Sequence, residues 1–429
     1  MGSLYYCYIS LAITSIYLIT LLIQRRYRLI LPSTIHTFIW MVTVILMLFQ
    51  LKGILVSSKV GNETFNLVSK FIFFLVLSSV IGFILAHIVT HNEETYKEIK
   101  FVDSNVIDDI LRKFKWIPYL CGIVGLILFI FLFNQFDNAG SFSDYRQLAI
   151  SAERTGIAGI AQRISGHINI LGNFYIMLLG YNYGRKGINL KNFLKLFLLC
   201  SMINISIGGR IWIVTSILPF IITFILTRHY SINNISISII KKDNKKIIAI
   251  IILGIAAFSI IGLMRTKPGD DTNGIDKFLY LTDGSRITNM VLSQFPPGSY
   301  DLEYGRSTFL RGFLGSPMDE KFKDSISYSR GLSVTVKSTM PYLYYDFGYF
   351  GAFIAWGIIC FVIELLCIKF KYSSSIIGII IYGELAYLLF QAPVGAIITN
   401  NIPVFEWIIL IYIFRKWIFA KIPNIEQYL

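Results

Sequence analysis

The chain is built from apolar runs about 20 residues long, and these runs decide what it can fold into. A helix of that length spans the roughly 30 Å hydrocarbon core of a bilayer at 1.5 Å per residue. About eleven such runs can be read, at approximately 3–23, 36–56, 68–90, 116–134, 164–184, 192–209, 211–228, 246–264, 348–368, 375–395 and 402–420. Only 15% of the 429 residues are charged and 55% are hydrophobic, against about 25% charged in soluble domains. That much apolar surface cannot be hidden in one or two water-soluble cores. In lipid, each segment must satisfy its own backbone polar groups, so the spans are expected to be helices. The expected fold is an all-α, polytopic integral membrane protein, with one transmembrane domain over 1–429. A cytosolic enzyme, a secreted protein and a disordered chain are excluded.

Charge gives an expected orientation. The net charge of +14 is not read as a nucleic-acid footprint, because membrane proteins concentrate Lys and Arg in cytoplasmic loops. No basic segment precedes the first run and no small-residue cleavage site follows it, so a retained helix is expected there. Arg25, Arg26 and Arg28 follow it, which puts the N-terminus outside. On that start, more than half of the 39 basic residues fall in cytoplasmic segments, among them Arg185, Lys186, Arg228, Lys241–Lys246 and Arg415–Lys421. The C-terminus is then cytoplasmic. One long outer loop is expected between the eighth and ninth spans, from Arg265 to about Thr335. Its Tyr280, Phe295, Tyr300, Tyr304, Phe309 and Phe313 give it enough apolar surface to fold onto the membrane domain. The five cysteines all lie in apolar runs, so neither a disulfide framework nor a cysteine metal site is expected.

Several residues sit where chemistry at a membrane surface would need them. Gly208-Gly209-Arg210 joins the sixth and seventh spans with almost no linker, leaving Arg210 at the outer interface. A guanidinium within a span costs roughly 2.5–3.5 kcal/mol on insertion scales and tends to be functional; the alternative is an arginine that snorkels to lipid phosphate. Arg265 ends the eighth span at the same depth, where it is either functional or a simple helix-end anchor. Arg163 begins the fifth span, with His167 four residues on and on the same helix face. In the long loop, Arg286, Arg306 and Arg311 are accompanied by Asp283, Asp301 and Glu303. The stretch Tyr304-Gly305-Arg306-Ser307-Thr308-Phe309-Leu310-Arg311 has the glycine, hydroxyls and paired arginines that suit an anion site. Asp346 lies among Tyr344, Tyr345, Phe347 and Tyr349, either as a general base near sugar-stacking aromatics or as a cap within an aromatic belt. Glu364, Glu384 and Glu406 are either a proton relay or paired, interfacial groups. No Gly-rich nucleotide loop and no metal-ligand motif is found, and no cofactor is expected.

The pattern resembles bacterial O-antigen polymerases of the Wzy type, which join oligosaccharide repeat units. The likeness covers most of the chain as topology, with ten to twelve spans and one large periplasmic loop late in the sequence. At residue level it rests on Gly208-Gly209-Arg210 opening a span, Arg265 ending the next one, and Gly331 through Gly351, with Tyr345-Asp346-Phe347-Gly348, entering the span after the loop. One departure is Phe390-Gln391-Ala392-Pro393, where relatives carry a basic residue near the outer end of the penultimate helix.

The resemblance implies a metal-independent glycosyltransferase at the periplasmic face of the bacterial inner membrane. Its partners would be undecaprenyl-pyrophosphate-linked oligosaccharides, membrane lipid and a chain-length co-polymerase. Arg210 and Arg265 would stabilise the leaving pyrophosphate, with Arg163, Arg286, Arg306, Arg311 and Tyr345 binding substrate. Asp346, or else His167, would take the proton of the attacking hydroxyl. An O-antigen ligase uses the same donor and is the alternative among enzymes. A polysaccharide flippase or other transporter is the alternative outside them.

Overall fold

The computed structural model describes residues 2–24, 31–54, 65–90, 104–135, 156–206, 211–230, 237–264, 280–299, 302–310, 314, 318, 338–371, 376–393 and 401–421. Among them every regular element is a helix. In chain order these are α1 (Gly2–Gln24), α2 (Pro32–Leu51), α3 (Val68–Thr90), α4 (Ser104–Lys113), α5 (Trp116–Gln135), α6 (Gly156–Lys186), α7 (Leu190–Ser206), α8 (Ile211–Tyr230), α9 (Ile237–Met264), α10 (Tyr280–Gln294), α11 (Arg306–Phe309), α12 (Met340–Lys371), α13 (Ile376–Gln391) and α14 (Asn401–Lys421). Each of the apolar runs read in the sequence overlaps a helix among the described residues. Five segments among the described residues are long and apolar enough to cross a membrane: Gly2–Ile23, Pro32–Leu51, Val68–Thr90, Ile107–Phe133 and Met340–Lys369. The protein is thus all-α, with apolar helices that place it in a membrane.

Three helices begin eight or nine residues before their apolar runs. α6 starts at Gly156 and has 31 residues, so Arg163 and His167 lie inside it, not at its start. α9 starts at Ile237, which makes Lys241–Lys246 helical. α12 starts at Met340, which makes Tyr342–Phe347 part of a helix. A helix does not end where it leaves the apolar layer, and polar turns continue it at no cost in backbone hydrogen bonds. α12 bends at Gly348, whose φ of 64° and ψ of −168° lie in a region that only glycine enters freely.

The helices form two compact units. The first comprises Met1–Tyr96, Thr272–Lys369 and Leu385–Phe405. Its α3 and α12 pack closely where Gly82 faces Gly357: a Cβ at Gly82 would lie 2.4 Å from the Gly357 carbonyl oxygen. The hydroxyl of Ser78 donates to the carbonyl of Phe353 beside that crossing. His36 is buried among Trp40, Phe83 and Trp356. Its Nδ1 donates to the Leu389 carbonyl at 2.9 Å, since a carbonyl can only accept. It is a packing histidine.

The second unit comprises Lys97–Asp271, Phe370–Glu384 and Glu406–Leu429. α6 and α8 meet through Gly180 and Gly184, a small-xxx-small pair that lets backbones approach. A Cβ on Gly180 would lie 2.8 Å from the Phe220 carbonyl oxygen, and one on Gly184 would lie 2.9 Å from that of Phe224. α4 is a short amphipathic helix. It buries Ile107, Ile110 and Leu111 and turns Asp109 and Arg112 outward.

Candidate functional site

Two carboxylates on α12 define the two ends of the first unit. Glu364, fully buried, accepts the Ser33 backbone N–H at 3.0 Å and the Ser33 hydroxyl at 2.7 Å. Ser33 is in the first turn of α2, where a helix leaves N–H groups without intrahelical acceptors. His87, in the last turn of α3, lies 3.2 Å from the same carboxylate. At the other end, Asn289 of α10 accepts the N–H groups of Leu67 and Val68, at 2.8 and 3.0 Å, where α3 begins.

Asp346 is at that second end and is also fully buried. One carboxylate oxygen accepts the N–H of Ser307 at 3.1 Å and the other that of Thr308. The backbone carbonyl of Asp346 accepts the N–H of Tyr304 at 3.1 Å. Asp346 therefore caps α11 from a distant element. The sequence makes this possible with Tyr304 and Gly305, whose φ values of 45° and 97° turn the chain so that two N–H groups converge. A Cβ on Gly305 would lie 2.9 Å from the ring of Phe309. Phe309 in turn meets Phe347, with ring centroids 6.1 Å apart.

This arrangement alters the reading of Tyr304–Arg311 as an anion site. The N–H groups there already hold an anion, the Asp346 carboxylate. Arg306 points outward, its side chain half exposed and 4.0 Å from Glu303. Tyr345 is buried, with its ring edge-on to Phe295 at 5.3 Å. That ring is taken up by packing. Arg286 is half-buried in the middle of α10. Arg311 lies outside the described residues.

The second unit carries a different polar group. His167 of α6 lies with Nδ1 against a carboxylate oxygen of Glu406 on α14. The His167 side chain is 54% exposed and that of Glu406 is 26% exposed. The other Glu406 oxygen is buried with no hydrogen-bond partner among the described residues. Further along α6, Asn169 accepts from Asn204 of α7 at 2.7 Å, and Asn173 accepts from Ser216 of α8 at 2.9 Å. α6 thus presents polar groups to three neighbouring helices near one end of the unit. Arg163 precedes His167 by about one turn of the same helix.

The opposite end of this unit is fixed by ion pairs. Lys186 pairs with Asp108, and Arg228 of α8 pairs with Asp243 of α9. α8 and α9 are consecutive, contact each other and are tied together at that end. Their far ends, Ile211 and Met264, therefore lie towards the end that holds His167. Arg210 immediately precedes Ile211 and Arg265 immediately follows Met264; both arginines lie outside the described residues. The pairing of His167 with Glu406 was not legible in the sequence. The i, i+4 spacing of Arg163 and His167 was the available signal, but nothing in it names a partner so distant along the chain.

A proton acceptor needs a lone pair and a fixed orientation, and this pair provides both. A carboxylate at Nδ1 favours the hydrogen on that nitrogen, and in the neutral ring Nε2 then carries the lone pair. No group of three or more His, Cys, Asp or Glu suited to a metal occurs among the described residues. Comparison with protein-family models, curated proteins and solved structures finds no match to this chain.

Proposed function

We propose that the chain is an oligosaccharide repeat-unit polymerase of the O-antigen type, acting on donors linked to a lipid pyrophosphate at the outer face of a bacterial inner membrane. The observation that carries this reading is the His167–Glu406 pair, about one turn along α6 from Arg163. In the reaction, an acceptor sugar hydroxyl attacks the anomeric carbon of the donor chain. A new C–O bond forms and the bond from that carbon to the pyrophosphate oxygen breaks. The hydroxyl proton passes to Nε2 of His167, and Glu406 stabilises the resulting imidazolium. The electron pair leaves with the pyrophosphate, where the guanidinium groups of Arg163, Arg210 and Arg265 favour the growing negative charge.

In this reading Asp346 has a supporting role. It holds the segment around Tyr304–Leu310 against α12, so that the outer chain keeps a fixed shape. Eleven spans, a periplasmic N-terminus, a cytoplasmic C-terminus and a separate chain-length co-polymerase belong to the same proposal. The lipopolysaccharide of a deletion strain tests it. A polymerase predicts loss of the ladder with a single repeat unit still attached to the core. Complete loss of O-antigen from the core would instead identify a ligase or a flippase, and a normal ladder would remove the function.

A further inference from the structure

The segment that Asp346 caps turns apolar groups outward. In the first unit, Leu302, Tyr304, Phe309, Leu310 and Leu314 all expose their side chains, Tyr304 to 80%. Tyr304 does so from a φ of 45°, which residues other than glycine rarely adopt. Leu314 donates its N–H to the Leu310 carbonyl at 2.8 Å, so the two leucines stand one turn apart on one face. Ser307 and Thr308 of the same stretch are buried. Glu303 and Arg306 lie among the outward groups as a loose pair, 4.0 Å apart. A clustered apolar surface of this kind marks a site of contact with a partner or a membrane.

α12 gives the segment a depth. Its exposed apolar residues are Phe350, Ile354, Ile358, Val362 and Leu366, in steps of four. Steps of four keep to one face of a helix, here the face turned to lipid. The stripe ends at the exposed Lys369. Tyr349 precedes Lys369 by 20 residues, about 30 Å of helix and so about the thickness of the hydrocarbon core. Lys70, exposed in the first turn of α3, holds its ammonium 5.9 Å from the Tyr349 ring centroid. A lysine and a tyrosine at a span's end sit at the level of lipid headgroups. The capped segment is attached to the residues just before that level. Asp346 holds its N–H groups, and the Phe309 ring meets Phe347. The atom nearest to a Cβ built on Gly348 is a Leu302 methyl carbon, 3.9 Å away. Asp346 is about one helical turn from Phe350, which is 76% exposed and opens the lipid-facing stripe.

We infer that Leu302–Leu310, with Leu314, is seated in the bilayer surface, its apolar side chains among the acyl chains beside Phe350 and Arg306 at the headgroups. Interfacial elements bury their apolar face about 5–10 Å into the headgroup–acyl boundary. One turn of α12 between Asp346 and Phe350 covers that distance. The partner is lipid, because the patch continues a stripe that already faces lipid. Asp346 then fixes one side of the segment to α12 and the bilayer covers the other. The inference holds for either leaflet and does not depend on the polymerase reading.

The test uses the purified full chain in lipid nanodiscs. Leu310→Cys and, separately, Leu314→Cys are labelled with a bimane fluorophore, so that either position can carry the result. Ile358→Cys, in the middle of the α12 stripe, is the lipid reference. Arg112→Cys, on the exposed face of α4, is the water reference. The native chain, whose five cysteines are all buried, is the blank. Phosphatidylcholine brominated near the glycerol end of its acyl chains should remove most of the fluorescence of the Leu310→Cys and Leu314→Cys labels. Iodide should leave them bright while it quenches the Arg112→Cys label. Quenching by iodide and not by brominated lipid would place the patch in water. Quenching by neither would place it under protein, such as a second copy of the chain. Either result would overturn the inference.

Discussion

The carboxylate of Asp346 accepts the backbone N–H of Ser307 at 3.1 Å, and its second oxygen takes the N–H of Thr308. A fully buried acid thereby closes the first turn of a four-residue helix that has no capping side chain of its own. Hydrogen bonds of this charge-assisted kind contribute about 1.5–3 kcal/mol each. Asp346→Asn can offer only one acceptor and turns an NH₂ towards a backbone donor. It should loosen the segment at Tyr304–Leu310 and cost about 1–3 kcal/mol of stability. Limited proteolysis is the measurement: faster cleavage within 302–310 in the variant is expected. An unchanged cleavage pattern together with lost turnover would make Asp346 a base after all.

Glu364 does the same for α2 at the other end of the first unit. Glu364→Gln and Ser33→Ala remove partners of one interaction, so their effects should not add. Neighbours in one hydrogen-bond network show coupling of about 0.5–3 kcal/mol. A double-mutant cycle on thermal or denaturant unfolding should give a coupling in that range. A sum of the single effects would mean that the contact contributes nothing to stability.

Close packing in the second unit makes two glycines behave oppositely. At Gly180 an added Cβ would lie 2.2 Å from the Thr223 hydroxyl and 2.8 Å from the Phe220 carbonyl, and a backbone atom cannot simply swing away. Gly180→Ala should destabilise by about 1–3 kcal/mol, as overpacking does. At Gly166, on the same helix, nothing lies within 4 Å of the added atom. Gly166→Ala should be neutral or stabilising by up to about 1 kcal/mol through helix propensity. Midpoints of unfolding for the two purified variants should move in different directions or by clearly different amounts.

The helices were legible in the sequence because a membrane span is written as a continuous apolar run, and among the described residues a helix occupies most of each run. Their ends were less so. α6, α9 and α12 begin eight or nine residues before their apolar runs, since polar turns such as Lys241–Lys246 carry no hydropathy signal. The site was legible only as residue types. Arg163 and His167 share a helix face by spacing alone, but Glu406 comes from another helix far along the chain. A capping role for Asp346 is one of the two readings that its residue type allows, but the sequence does not name the partner, the α11 turn. Contacts between distant elements depend on packing, which single-chain periodicity does not encode.

The proposed orientation rests on the basic segments. Arg185, Lys186, Arg228 and Lys242–Lys246 collect at one end of the second unit, and the His167–Glu406 pair is near the other. By the positive-inside rule, the proposal takes the basic end as the cytoplasmic one. Alkaline phosphatase fused after residue 300 should be active, and a fusion at the C-terminus should be inactive. The reverse pattern would place His167 on the cytoplasmic side, away from lipid-linked repeat units.

The most direct measurement is the rate at which purified protein joins lipid-pyrophosphate-linked repeat units, compared between the native chain and its His167 and Glu406 variants. A general base contributes about 10²–10⁴-fold. His167→Ala should therefore slow polymerisation at least 100-fold while the donor still binds. Glu406→Gln, which keeps shape but loses the charge that orients and stabilises the imidazole, should slow it by a smaller factor and alter the pH profile of the rate. Native rates in both variants would contradict the assignment of this pair as the catalytic base and its orienting acid.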